Sequence, residues 1–371
     1  MTIGILKERF EDEQRVALSP FGVESLVNAG ATVVIQSGAG EGSRFEDDLY
    51  RGSGGTIVYS AEEAAGRADV ILKVMPPVKD ELELLTEDKT LLSFLMLGMG
   101  QRWFVDHLMQ SKCTAVGLEL LRGKGGSYPI LRLMSEISGQ IAVLVGSRYL
   151  RSDQGGRGVL LGGVAGVAPA AVVILGIGAS GYAAAQTALG LGAQVIVMDN
   201  DLERLREADK HLGKQITTVM ATPENIRRGV KIADVFIGAI AINDEASHHL
   251  VTEDMVKTMK PGAVVIDISV TQGGCIETIR PTTIKDPTFE KYGVIHYGVP
   301  NMPSMVARSS TYALTNATLP FLLSLSKNGV DATIAAERYF RCGVVTHHGV
   351  PVHSLLNDIY DIPVEPLDCN C

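Results

Sequence analysis

The residues whose types and spacing point most directly to chemistry are Gly176, Gly178, Gly181 and Asp199. An apolar run, residues 172–175, leads straight into Gly176-x-Gly178-x-x-Gly181. A helical pattern follows, then a second β-rich run, residues 195–198, ending on Asp199. This is the layout of a diphosphate cradle. Gly176 permits the tight turn, Gly178 lets a pyrophosphate approach the backbone, and Gly181 lets helix and strand pack closely. The helix N-terminus presents its unpaired N–H groups to the phosphates. A carboxylate about twenty residues on accepts hydrogen bonds from the adenosine ribose. Asp199 repels a 2′-phosphate, so the spacing predicts NAD rather than NADP. Arg204, the nearest cation, weakens that preference only slightly. A glycine-rich packing turn would account for the glycines alone, but not for strand, helix, second strand and acid in this order.

These groups need elements to hold them. Residues 2–6 form a short apolar strand, followed by the charged, irregular stretch 7–15. Ser19 and Pro20 then mark a helix start, serine as cap and proline in the first turn. Strands are expected at 32–36, 56–58, 70–75, 91–95 and 114–117, with helical patterns at 61–67 and 101–110 between them. That alternation predicts an open parallel sheet over the first ~130 residues. Residues 134–150 read as a long helix capped by Ser135, crossing between domains. After Asp199 come a charged helix (202–212), an extended stretch (215–219) and strands at 235–238, 263–267 and 294–297. Helical patterns at 311–325 and 332–340 are expected to pack back on the first domain. The expected fold class is therefore α/β, with two open parallel sheets, the second doubly wound. Residues 1–133 plus 305–371 form the discontinuous substrate domain, and 134–304 the NAD-binding domain.

Composition narrows the function. The chain has 371 residues and a net charge of −9, which argues against a nucleic-acid or anionic-membrane surface. No charged segment precedes an apolar one at its start, so no secretion signal is expected. Residues 158–198 carry no charge, but Gly162, Gly163, Gly166 and Pro169 interrupt them, so they read as buried core rather than a membrane span. The five cysteines, Cys113, Cys275, Cys342, Cys369 and Cys371, are scattered and odd in number. They fit a reducing cytoplasm better than a disulfide framework. The Cys369-Asn-Cys371 tail and the group His347, His348 and His353 have spacings a metal could use. No matched ligand set accompanies either, so no metal is assigned.

Several segments resemble alanine dehydrogenase: IGILKE…QRVALSPFGVESLVNAGATVVIQSGAGEGS at the start, then MSEISGQIA, QGGRGVLLGGVAGV, KPGAVVIDISVTQGGCIE, RPTT and NMPSMVARSSTYALTNATLP. The resemblance covers nearly the whole chain. The related transhydrogenase NAD-binding subunit matches less well, because QGGRGVLLGGVAGV follows the alanine dehydrogenase pattern. The resemblance implies two Rossmann-like domains, doubly wound parallel sheets with a cleft between them, assembled as a homo-oligomer, a hexamer or a dimer. It implies reversible NAD-linked oxidative deamination of L-alanine to pyruvate and ammonia. It also implies cofactor contacts from Ser135, Ser180, Asp199, Arg204, Ile240, Ala241, Ile268, Asn301 and Met302.

Four side chains carry the family's chemistry, and the resemblance assigns them here residue by residue. The arginine that holds the substrate carboxylate is Arg15. The lysine of a K-V-K-E-P segment falls on Met75, and the histidine of F-L-H-L on Met96. The aspartate of D-Q-G-G, which orients water and ammonia, falls on Thr271. A thioether is a weak acceptor without a titrating proton, and loss of one positioned acid or base costs ~10²–10⁴-fold in rate. Two local substitutes present themselves. On a strand, Lys73 shares a face with Met75; the alternative is a structural ion-pair partner. Glu119 is a further acid/base candidate, or else a partner for Arg15 or Lys73. Thr271 retains a hydroxyl for the nicotinamide ribose or a polar substrate group, and His296 reads as a satisfied core histidine. Three functions fit: an NAD-dependent oxidoreductase of an amino or imino acid other than L-alanine, a true alanine dehydrogenase using Lys73, or a catalytically silent NAD(H)-binding sensor.

Overall fold

The apolar runs of the sequence become the central strands of two mostly parallel sheets. The computed structural model describes residues 1–10, 12–99, 101–240, 249–270 and 273–367. The chain divides into two compact units: Met1–Met134 with Ser304–Cys371, and Ser135–Pro303. In the first unit, β1 (Thr2–Ile5), β2 (Thr32–Gln36), β3 (Thr56–Val58), β4 (Val70–Leu72), β5 (Thr90–Ser93) and β6 (Thr114–Gly117) pair in parallel in the order β3-β2-β1-β4-β5-β6. In the second, β7 (Ala171–Leu175), β8 (Gln194–Asp199), β9 (Thr217–Met220), β10 (Val235–Gly238), β11 (Val264–Asp267) and β13 (Val294–Tyr297) repeat that order, with β12 (Thr288–Lys291) antiparallel at the edge beside β13. A hairpin of β14 (Val344–His347) and β15 (Val350–Pro351) extends the first sheet antiparallel to β6.

Both parallel orders read 3-2-1-4-5-6, the Rossmann winding. In such a sheet the chain turns in opposite directions from the first and fourth strands, opening a crevice at their carboxyl ends where ligands bind. β5 and β10 are buried along their whole length, as central parallel strands covered on both faces must be. The first core gathers Val34, Ile71, Leu91, Phe104, Ala115 and Val345, so the C-terminal hairpin belongs to it. The second unit has apolar cores on both faces of its sheet, one including Val172 and Ile174, the other Val173 and Leu175.

Several expected elements differ. The helix from Pro20 begins as read, with the Ser19 hydroxyl accepting from the Gly22 N–H. The long helix, however, spans Pro129–Tyr149. Pro129 supplies its first turn, where a missing N–H costs nothing, so Ser135 lies inside the helix and is not its cap. This helix is long and apolar enough to cross a membrane on composition alone; Ile141, Ala142, Val143 and Val145 bury it in the second core instead. Residues 332–340 divide into Val330–Ala336 and Arg338–Arg341. The expectation of a reducing cytoplasm rather than a disulfide framework meets one exception among the cysteines. Cys113 and Cys275 are free and buried, but Cys342 is disulfide-bonded. The Cys369–Cys371 tail lies outside the described residues.

Candidate functional site

In the second unit the glycine turn joins β7 to the helix Ala179–Gly190, at the carboxyl end of the first strand of the winding. Its three glycines do different work. Gly176 has φ +95°, and a Cβ there would lie 2.6 Å from the Ala239 carbonyl and 2.7 Å from the Ile240 side chain. At Gly181 a Cβ would come within 1.9 Å of the Gly176 carbonyl. At Gly178, the N-cap of the helix, it would meet nothing within 4 Å. Gly176 and Gly181 are thus required by packing, and Gly178 leaves the open approach a diphosphate needs. Ser180 lies in the first turn behind it.

Asp199 ends β8, but its carboxylate does more than face a ribose. Oδ2 accepts from the Ile177 N–H at 2.8 Å and Oδ1 from the Asp201 N–H at 2.9 Å. It therefore ties the glycine turn to the second strand, and its remaining lone pairs can still accept from a hydroxyl. Arg204 lies on the helix Leu202–His211, largely exposed, with Nε 3.5 Å from Asp201 Oδ2. Ile268 follows β11 and packs against the second core, while Asn301 holds a left-handed backbone at φ +55°. Met302 is buried in that core, so its side chain serves packing. Ala241 and Thr271 lie outside the described residues. These residues fit a dinucleotide. NADH is expected to bind at least about tenfold more tightly than NADPH, the scale of one unfavourable charged contact. Calorimetric titration of both checks it, and equal affinities would remove the role given to Asp199.

In the first unit the chemically capable groups collect at the carboxyl ends of β1, β4, β5 and β6. Arg15 is buried and clamped by Glu13: Nη2 lies 2.6 Å from Oε2, and Nε 2.8 Å from Oε1. Nη1 also lies 3.3 Å from the sulfur of Met134, and Nη2 3.9 Å from that of Met75. The acceptor at the position of the family's lysine is thus a thioether. A cavity of about 420 Å³ opens here, lined by Lys7, Glu8, Glu13 and Arg15 among others.

Lys73 takes its structural alternative. The strand ends at Leu72, and the same-face relation to Met75 lapses with it. Lys73 Nζ lies 3.2 Å from Glu81 Oε1 and 3.6 Å from Glu8 Oε2, all three side chains being at most 2% exposed. Glu8 also accepts from the N–H groups of Val74 and Met75. Burial raises its carboxyl to about 6, against the pull of Lys73. Glu119 partners neither Arg15 nor Lys73. Its carboxylate accepts from the Leu95 N–H at 3.0 Å and the Met96 N–H at 2.8 Å, and burial pushes its pKa up. Those bonds hold Met96 at φ +49°, a region that costs a side-chain-bearing residue of order 1–3 kcal/mol. His296 is a satisfied core histidine: Nδ1–H donates to the Val294 carbonyl, leaving Nε2 to accept from Thr278. The sequence pointed to none of Glu8, Glu13, Glu81 or Met134 individually. Three of these carboxylates lie in or near the charged stretch after β1 and the turn after β4, and only the fold shows which pair inward.

The fold and the glycine site define an NAD-binding oxidoreductase built from two Rossmann-like units. Residues 4–138 match the family model for the alanine dehydrogenase/PNT N-terminal domain, and residues 142–354 that for the C-terminal domain. The chain belongs to the alanine dehydrogenase/PNT family. It is 42% identical to an alanine dehydrogenase of Methanococcus maripaludis over 99% of both chains. It is 40% identical to that of Mycolicibacterium smegmatis over 98% of both. A solved L-alanine dehydrogenase structure superimposes with a TM-score of 0.93 at 39% identity, covering 97% of this chain and 99% of that one. A transhydrogenase from Sinorhizobium meliloti gives 0.82 at 25% identity, covering 95% and 100%.

Proposed function

We propose that this chain is an enzyme that exchanges a hydride between NAD and an amino or imino acid other than L-alanine. The observation that carries this is the setting of Arg15. Its guanidinium remains in the cavity wall to receive a substrate carboxylate, while Met75 and Met134 supply only sulfur beside it. NAD, when bound, takes up or gives the hydride; the chain must orient the substrate and handle its proton. With Met75, Met96 and Thr271 in place of lysine, histidine and aspartate, little is left to protonate a carbonyl oxygen or position ammonia. A preformed imine, or a bulkier amine, needs less of that help. Buried Glu8, Glu13 and Glu81 against Arg15 and Lys73 also disfavour a second substrate carboxylate.

The alternative of alanine chemistry through Lys73 is weakened by its two carboxylate partners. The proposal includes residues 134–304 as the cofactor domain, residues 1–133 plus 305–371 as the substrate domain, a homo-oligomer and a cytoplasmic location, with no nucleic-acid or membrane partner. The test is NADH oxidation across 2-oxo acids offered with ammonia and with primary amines, and across cyclic imines. Turnover highest on an imine or amine-derived substrate supports the proposal. Binding of NADH without turnover of any of them overturns it in favour of a sensor.

Arg15→Lys is the companion experiment. It keeps a cation for Glu13, so the fold and NADH affinity are expected to persist. It loses the planar fork that holds a carboxylate with two bonds. The KM for the best carboxylate substrate is expected to rise about tenfold or more, the worth of one charge-assisted bond. An unchanged KM would mean that the cavity no longer receives carboxylates at Arg15.

A further inference from the structure

We propose that Asp331, His347 and His348 form a binding site for one divalent transition-metal ion of the Zn²⁺ or Co²⁺ class, which ties the helix Val330–Ala336 to the β14–β15 hairpin. Both imidazoles aim the same nitrogen at one oxygen. His347 Nε2 lies 3.0 Å from Asp331 Oδ1, and His348 Nε2 lies 3.1 Å from that atom. All three donor atoms fall within 4.8 Å of one another. A tetrahedral ion with metal–nitrogen and metal–oxygen bonds of about 2.0–2.2 Å spaces its donors roughly 3.3–3.5 Å apart. The ion therefore needs a few tenths of an ångström more between Asp331 Oδ1 and each nitrogen, the two nitrogens lying within 4.8 Å of each other.

Backbone geometry explains how neighbouring histidines come to converge. Along a strand, successive side chains point to opposite faces. Here His347 ends β14 and pairs with Val350 across a two-residue turn. That turn, His348-Gly349, has φ +49° and +78°, the two left-handed residues of a type I′ hairpin. The turn brings the His348 ring back to 4.4 Å from that of His347, centroid to centroid. Asp331 arrives from a different segment, in the first turn of its helix. His353, grouped with the two histidines by sequence, is instead occupied with the Leu355 N–H through Nδ1. The carboxylate the sequence pattern lacked is Asp331.

The donor set suits the ion. Two neutral imidazoles and one carboxylate are the usual partners of Zn²⁺ and Co²⁺, whereas Mg²⁺ and Ca²⁺ prefer all-oxygen sites. Asp331 and His348 are exposed, so an ion can enter directly and keep water at its remaining position. Without metal each ring shares Asp331 by donating its Nε2–H; to bind the ion each neutral ring carries that proton on Nδ1 instead and offers the Nε2 lone pair. Protons compete with a metal ion for its ligands, so binding is expected to weaken at lower pH.

The test uses the full chain, free of any affinity tag, titrated with ZnCl₂ by calorimetry at pH 7.5 and again at pH 5.5. One equivalent is expected at pH 7.5 and weaker binding at pH 5.5. His348→Asn, which suits the left-handed backbone at φ +49°, and Asp331→Ala, at an exposed position, should each lose that equivalent or bind it at least tenfold more weakly. His353→Ala should leave it unchanged. A Zn²⁺-dependent rise in melting temperature should disappear in the same two variants only. Zn²⁺ binding that persists unaltered in an Asp331→Ala/His347→Ala/His348→Ala protein, or no saturable equivalent in the wild type, overturns the assignment.

Discussion

Lys73→Met is expected to lower the melting temperature by roughly 6–20 °C while leaving turnover per folded molecule largely intact. The reason is the burial of three charges together. Lys73, Glu8 and Glu81 are each at most 2% exposed, and the lysine is the cation between two carboxylates. Removing one partner of a buried pair leaves an uncompensated charge and costs about 3–5 kcal/mol. Each kcal/mol moves the midpoint of a domain of this size by roughly 2–4 °C. The loss should depend on pH with a definite sign. Glu8 holds its proton up to about 6 in the folded protein, above its ordinary 4.5. The folded state therefore binds more protons in that window, and the stability from this group falls as pH rises through it. Without Lys73 the window extends upward, so the variant should be more deficient at pH 8 than at pH 5. Replacing all three groups, with Glu8→Gln and Glu81→Gln added, should recover most of the loss, because no buried charge is then unpaired. If Lys73→Met instead melts like the wild type but abolishes turnover, Lys73 is the acid/base group and alanine chemistry returns as the leading function.

The contrast between the two halves of the chain shows what a sequence reveals. The cofactor turn was legible because each glycine answers a local demand: a positive φ at Gly176, a contact no Cβ survives at Gly181, an open face at Gly178. Both parallel sheets were legible for a similar reason, since buried parallel strands read as short apolar runs between helical patterns. The edges were not. β12, β14 and β15 are short antiparallel additions that owe their form to a neighbouring strand rather than to any pattern of their own. Residues 73–75 look like the end of a strand, yet Glu8 takes the N–H groups of Val74 and Met75. Bonds to the neighbouring strand continue through Val74, but a side chain more than sixty residues earlier takes these two N–H groups, and no local pattern could announce it. The ion-pair alternative for Glu119 failed on the same ground: its partners are the backbone of residues 95 and 96, not Arg15 or Lys73.

The largest gain of function is expected from Met75→Lys, Met96→His and Thr271→Asp together. If the scaffold is intact and only the chemistry differs, the wild type should oxidise L-alanine near background and the triple variant about 10²-fold faster or more, the scale of one restored acid/base group. Groups acting as a unit are strongly non-additive, so each single change should do little. The structure sharpens where the difficulty lies. Met75 is 3% exposed and its sulfur lies 3.9 Å from Arg15 Nη2, so a lysine there places a second cation against the guanidinium. Burying a cation without a partner costs several kcal/mol. Glu8 is the available counter-charge, because its carboxylate already accepts from the Met75 N–H, but it is shared with Lys73. The new lysine should therefore draw Glu8 toward ionisation, lowering the pH at which it titrates. At Met96 the demand is conformational: Glu119 must continue to hold the left-handed backbone, which histidine tolerates better than most residues. Melting curves with NADH are needed alongside the rates, to separate a misfolded variant from a folded one without chemistry. A folded, NADH-binding triple variant that is silent on both alanine and pyruvate would show that the cavity differs beyond these three side chains. A wild type already fast on alanine would remove the basis for assigning another substrate.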